Sequence, residues 1–154
     1  MRIIMVPSSQ GSLGKNLGCE LAPGILGKGL GIMGERVAVV QSDLEETDKA
    51  IYAKAKEVFS QNEKALFIGG DHSITYSLFK AFSENNRNAS LVIFDAHADS
   101  TKGIKPVSHE DVNRELIDDD LLKPENLLII GLRKTWENEE EFLREKKIQT
   151  INGI

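Results

Sequence analysis

The chain has 154 residues, 40% of them apolar and 28% charged, with a formal net charge of −5. That length suffices for one domain with a real core, and the acidic balance argues against nucleic acid as a partner, because no basic stripe with interleaved aromatics opposes it. The single cysteine, Cys19, excludes an internal disulfide framework or a cysteine-based cluster within one chain and suits a reducing cytoplasm.

The apolar start from Met1 to Val6 is too short for a signal-peptide core or a membrane span and predicts a first strand over Ile3–Val6. A glycine-rich stretch from Ser8 to Gly34 follows, with a short helix expected near Ala22–Gly27. Arg36–Val40 reads as a second strand. Asp43 is placed to cap a helix over Leu44–Phe59, with Ile51, Ala55, Val58 and Phe59 on its inner face. A strand at Ala65–Ile68 precedes a helix from Ser73 to about Glu84, whose buried stripe is Ile74, Leu78, Ala81 and Phe82. Asn85–Asn88 is a turn, and Leu91–Phe94 the next strand. Beyond it come a polar loop, a helix near Glu110–Leu116, a strand at Leu127–Ile130, a charged surface helix over Glu137–Lys146 and a last strand over Ile148–Ile151. Strands alternating with helices predict an α/β domain, three-layered α-β-α with a mainly parallel sheet, over residues 1–154.

Two segments carry the chemistry. Gly69-Gly70-Asp71-His72-Ser73 and Asp95-Ala96-His97-Ala98-Asp99 each follow a short apolar run, the mark of a buried parallel strand. Open α/β sheets place their ligands at the carboxyl ends of such strands. His72, Asp95, His97 and Asp99 therefore meet at one rim as a candidate metal site. Period-two alternation would set Asp95, His97 and Asp99 on one side. Mixed imidazole and carboxylate donors favour manganese, iron(II) or zinc over magnesium or calcium. A carboxylate can bridge two ions roughly 3.5–4 Å apart, and such a pair makes a nucleophile of water near neutral pH. A single histidine is more often structural, Asp71 would also suit a helix N-terminus, and Ser73 a cap. Two such motifs at two strand ends are harder to explain that way, because buried carboxylates without a partner are costly.

With these two motifs, in this order and spacing, the sequence resembles the arginase, agmatinase and formimidoylglutamase family, the ureohydrolases. Weaker likeness lies in Gly18-Cys19-Glu20-Leu21-Ala22-Pro23-Gly24-Ile25-Leu26 and Ile129-Ile130-Gly131-Leu132-Arg133. The resemblance implies manganese-dependent hydrolysis of a guanidino or amidino carbon–nitrogen bond. It implies that His72 binds one ion, His97 the other, and that Asp95 bridges them. Asp99 would bind the ion held by His72 and steady the attacking hydroxide, Asp71 would support the ligand beside it, and His109 would shuttle protons. In the family a glycine often follows that histidine, whereas Glu110 stands here.

The family's third metal motif, S-x-D-x-D-x-x-D-P, is not found in these residues. Asp118-Asp119-Asp120 is the remaining dense aspartate cluster and reads as a solvated helix end. The resemblance thus covers the N-terminal part of the family domain and implies an arginase-like fold lacking the C-terminal central strands. In the family these strands separate the two that carry the motifs, so the edges of those two would face a gap, and open edges invite pairing. Three outcomes are expected: a truncated or split enzyme completed by a complementary C-terminal chain, a sheet that closes up, or a homo-oligomer joined edge to edge. The competing functional reading is a degenerate arginase-like binding or structural module with weak or no metal. A metallophosphoesterase would need G-N-H and G-H-x-H segments, which do not occur.

Overall fold

The fold is built from two small all-parallel sheets whose strand ends carry the two motifs. The computed structural model describes residues 1–61, 64–103 and 105–153. In chain order the elements are β1 (Arg2–Val6), α1 (Ala22–Leu30), β2 (Glu35–Arg36), α2 (Leu44–Ser60), β3 (Ala65–Gly69), α3 (Ile74–Ser83), β4 (Leu91–Phe94), α4 (Val112–Asp118), β5 (Leu127–Leu132), α5 (Glu137–Lys146) and β6 (Gln149–Asn152).

The first sheet has the order β2–β1–β3 and the second β4–β5–β6. β1 runs beside β3 with Ile4 opposite Phe67 and Val6 opposite Gly69. Ile4 and Val6 point into a core with Val37, Ile51, Val58 and Ile74, closing α2 onto one face of the first sheet. β4 runs beside β5 with Leu91 opposite Leu127 and Ile93 opposite Ile129. These side chains meet Leu116 of α4 and Phe142 and Leu143 of α5 in a second core. Burial of such a row of aliphatic side chains is the main force holding each sheet to its helices.

α3 joins the halves. Ile74 at its start belongs to the first core and Phe79 to the second. Phe82 meets Phe59 of α2 edge-on with ring centroids 5.2 Å apart, and Phe79 at 6.3 Å. On either side of this helix β3 and β4 are edge strands of separate sheets, so the sheet has not closed up across the gap.

Three local expectations change. The second strand is only Glu35–Arg36, not Arg36–Val40. Val37 still donates to the Met5 carbonyl, but both backbone groups of Val40 are taken by the Thr47 hydroxyl, which turns the chain towards α2. α5 spans the residues expected, yet Glu139, Phe142 and Leu143 are buried, so it is not merely a charged surface helix. Ser73 sits at the N-terminus of α3 without a side-chain cap bond; Asp71 Oδ1 instead accepts from the Ser73 N–H at 2.9 Å. Asp43 does cap α2, accepting from the Glu46 N–H at 3.0 Å. Asp118, Asp119 and Asp120 are exposed where α4 ends, Asp118 paired with Arg114 and Asp119 with Lys105. No helix among the described residues is long and apolar enough to cross a membrane.

Candidate metal centre

The chain leaves β3 through Gly70, where close packing decides the residue type. A Cβ on Gly70 would lie 2.0 Å from the Ser8 carbonyl oxygen. That same carbonyl accepts from the Asp71 N–H at 3.0 Å, so the first motif is anchored to the segment after β1. His72 follows, with Nδ1 3.2 Å from the Thr75 hydroxyl. Its Nε2 is buried, has no hydrogen-bond partner among the described residues, and lies 3.5 Å from Asp99 Oδ2. Burial pulls the His72 imidazole below its ordinary pKa, keeping it neutral and available as a ligand.

The second motif keeps strand-like pairing longer than its element bounds suggest. Asp95 N–H donates to the Ile130 carbonyl, and His97 bridges to Lys134. Alternation therefore holds through His97 and ends at Asp99, whose φ of 45° is left-handed. The turn, not the period of two, aims Asp99 at His72. Asp95 Oδ1 accepts from the His97 N–H at 2.9 Å and stands 3.2 Å from His97 Nδ1. The His97 side chain is 61% exposed, so this half of the site is open.

Asp99 is buried, and desolvation first, then the charges of Asp95 and Glu139, push its carboxyl up to about 7. A buried carboxylate among like charges is stabilised by a cation. The buried, unpartnered Nε2 of His72 beside it asks for the same. The donors thus fit a divalent ion, but incompletely. They come as two pairs, His72 with Asp99 and His97 with Asp95, and among the described residues no three His, Cys, Asp or Glu side chains gather to enclose an ion.

All four line one cleft of about 760 Å³, together with His109. His109 Nδ1 lies 2.8 Å from the Gly11 carbonyl, which can only accept, so Nδ1 carries the proton and Nε2 holds the free lone pair. Glu110, next to His109 in the chain, pairs with Lys15 at the cleft.

Two buried residues around the turn at Asp99 escaped the sequence, and one of them, Glu139, also lines the cleft. Asn113 donates its backbone N–H to the Asp99 carbonyl at 3.0 Å and its side-chain amide to the Ala98 carbonyl at 2.8 Å. Glu139 accepts from the Ser100 N–H and the Trp136 N–H, each at 2.9 Å. A Glu at the third position of a helix is the signal that could have singled out Glu139.

The Arginase family model matches residues 5–153. An uncharacterized 32.2 kDa protein of Methanothermus fervidus is 31% identical over 115 residues, covering 73% of this chain and 39% of that protein. The arginase of Staphylococcus aureus is 28% identical over 122 residues, covering 71% of this chain and 40% of the enzyme. Among solved structures, the formimidoylglutamase of Bacillus subtilis superposes with a TM-score of 0.88 at 21% identity, over 98% of this chain and 54% of that one. That last likeness carries the fold alone. The chain spans about 40% of the length of the curated relatives it matches.

Proposed function

This chain belongs to the arginase family, and from that premise we propose that it is one part of a manganese-dependent hydrolase acting on a guanidino or amidino carbon–nitrogen bond, completed by a second chain. The observation that carries the reading is the meeting of His72 Nε2 with Asp99 Oδ2 in a cleft that also holds Asp95, His97 and His109.

In this reading His72 and Asp99 would hold one ion, and His97 and Asp95 would contribute to holding a second. Manganese, when bound, would supply a nucleophilic water near neutral pH and a positive field at the carbon under attack. Asp99 would also help to orient the attacking water. His109 keeps its Nδ1 proton on the Gly11 carbonyl, which leaves the Nε2 lone pair to take up the proton that the attacking water gives up and then to pass it to the departing amine. Relatives bearing the names arginase, guanidinobutyrase and agmatinase support a small cationic substrate of this class.

The proposal of a second chain rests on the open edges of β3 and β4 and the incomplete donor set. Those same unclosed donor pairs favour a second reading, an arginase-like module that holds metal weakly and does no hydrolysis. Co-expression with the C-terminal remainder of the S. aureus arginase, beyond its matched region, separates the two. The expected result is a complex that releases urea from arginine, agmatine or guanidinobutyrate, or formamide from formimidoylglutamate, only with manganese and only with His72 intact. Enzyme-like turnover by the chain alone removes the partner from the proposal. A complex that forms, binds no manganese and turns nothing over supports the non-catalytic module.

A further inference from the structure

Glu139 lies in the acidic run Glu137–Glu141, yet it is only 3% exposed, and its two oxygens reach in two directions. Oε2 takes the Trp136 N–H, which closes the N-terminus of α5. Oε1 crosses to the Ser100 N–H, on the loop that carries Asp95, His97 and Asp99, 39 residues earlier in the chain. Capping α5 needs only the first of these bonds. The second is independent of the helix.

We propose that Glu139 is a positioning residue for the candidate metal loop, holding the turn at Asp99 so that its carboxylate faces His72. This rests on the metal reading above. The turn needs holding. Asp99 has a φ of 45°, in the left-handed region, which aspartate and asparagine enter more readily than other residues with side chains but less readily than glycine. Ser100 is fully buried, its hydroxyl donates to the Ala98 carbonyl at 2.8 Å, and its N–H has nowhere to go but Glu139. Asn113 grips the other side of the same turn through the Ala98 and Asp99 carbonyls. The turn is thus clamped by one side chain from α5 and one from α4.

The residue type follows from the geometry. Two backbone N–H groups approach from different elements, and both need acceptors. A carboxylate has an acceptor at each oxygen, whereas an amide has one acceptor and one donor. A glutamine here would set an N–H against an N–H. The carboxylate brings a penalty, since it adds to the like charge around Asp99. A cation held at Asp99 relieves that repulsion, so the arrangement suits a turn that works with metal bound.

The test uses the full chain with manganese as the probe. Glu139→Gln is expected to lower manganese affinity about tenfold or more, the usual effect of losing a group that orients a ligand. Amide hydrogen exchange at Ser100 should accelerate in the same variant. Glu139→Asp keeps the charge but is too short to span both N–H groups, so it should weaken binding similarly if reach matters rather than charge. Phe142→Leu, on the same helix and buried in the second core away from the cleft, is the control for a structural effect. It should lower the melting temperature and leave manganese affinity unchanged. The proposal is overturned if both Glu139 variants bind manganese like the parent, if Phe142→Leu loses as much affinity, or if the Ser100 amide stays protected in Glu139→Gln. Parent protein that takes up no manganese, either alone or in the co-expressed complex, removes the metal reading and the positioning role with it. That outcome is told apart from the others because it shows in the unsubstituted protein.

Discussion

His72 Nε2 and Asp99 Oδ2 stand 3.5 Å apart, although their loops follow strands of two different sheets. The contact places a neutral imidazole against a carboxyl group that burial drives towards protonation. Above about pH 7 the buried carboxylate charge is not offset by the neutral imidazole, and a cation would offset it. Asp99→Asn should therefore have opposite effects with and without metal. Asparagine tolerates the left-handed backbone and carries no charge. The metal-free variant should be more stable than the parent at pH 8 by on the order of 1 to 2 kcal/mol. The manganese-dependent rise in melting temperature should disappear. Thermal melts with and without manganese check both halves.

His72 and His97 are expected to be equally necessary for manganese uptake and unequal for folding. The His72 side chain is 26% exposed and touches Thr75, whereas that of His97 is 61% exposed. His97→Ala should fold as stably as the parent to within about 0.5 kcal/mol, as surface substitutions usually do. His72→Ala should lose about 1 kcal/mol or more with its packing. Either should abolish the metal content measured after dialysis against manganese, while denaturant melts of the metal-free chains separate the folding effects.

The paired glycines of the first motif should not tolerate alanine alike. At Gly69 the nearest obstacle is Ile74 Cδ1, the end of a flexible side chain. At Gly70 it is the Ser8 carbonyl oxygen at 2.0 Å, with the Cys19 carbonyl at 2.9 Å, both backbone. Gly69→Ala should cost about 1 kcal/mol or less as Ile74 changes rotamer, and Gly70→Ala about 3 kcal/mol because two chain segments must part. Urea denaturation of the two variants gives the comparison.

These relationships mark how far the sequence could be followed. β3, β4 and β5 were legible because short apolar runs ended in turn residues, and α5 because its bounds are marked by charge. The two motifs were legible because strand ends place polar groups at one rim. The break between β3 and β4 is one of the three outcomes that the family resemblance left open, and periodicity could not choose among them because it carries no information on which strands pair. The turn at Asp99 was hidden because no glycine announces its positive φ. Glu139 was hidden because an acidic run looks like a solvated face, and only the distant Ser100 N–H makes one member of it buried. β2 was overestimated because Val37–Val40 has strand propensity but Thr47 takes the backbone groups of Val40.

The second sheet has one covered face and one open face. Ile93, Leu127 and Ile129 pack under α4 and α5, while on the opposite side Val92 is 50%, Phe94 79% and Ile151 53% exposed. Phe94, Ile130 and Ile151 are aligned across the three strands. Parallel strands are ordinarily buried on both faces, so this exposed face is where the complementary chain, if the proposal holds, would pack. Phe94→Lys should leave the melting temperature of the isolated chain nearly unchanged, because the ring loses little burial. It should sharply reduce recovery of the complex in co-expression, read by size-exclusion chromatography with light scattering. Undiminished assembly of the Phe94→Lys chain would show that this face lies outside the interface.

Asp48 gives a pH dependence away from the candidate metal centre. It is half-buried on α2, accepts a hydrogen bond from Ser77, and faces the positive charges of Lys80 and Lys105 and the negative charge of Asp71. Desolvation outweighs the Ser77 bond and the lysines and pushes its carboxyl up to about 6. In the unfolded chain an aspartate titrates near pH ~3.9. Between those values the folded state holds a proton that the unfolded state has released, so the contribution is present at low pH and is lost as pH rises through about 6. Asp48→Asn removes the titration. Its stability relative to the parent should be flat below about pH 3, rise between about pH 3.5 and 6.5, and level off at about 1 kcal/mol by pH 7.5, solvent screening of this partly exposed group having reduced the full effect. Paired urea melts of parent and variant across that range isolate Asp48 from the other carboxylates, since these titrate in both proteins. A difference that does not grow with pH would mean that Asp48 is hydrated well enough in the folded protein to keep its charge without cost.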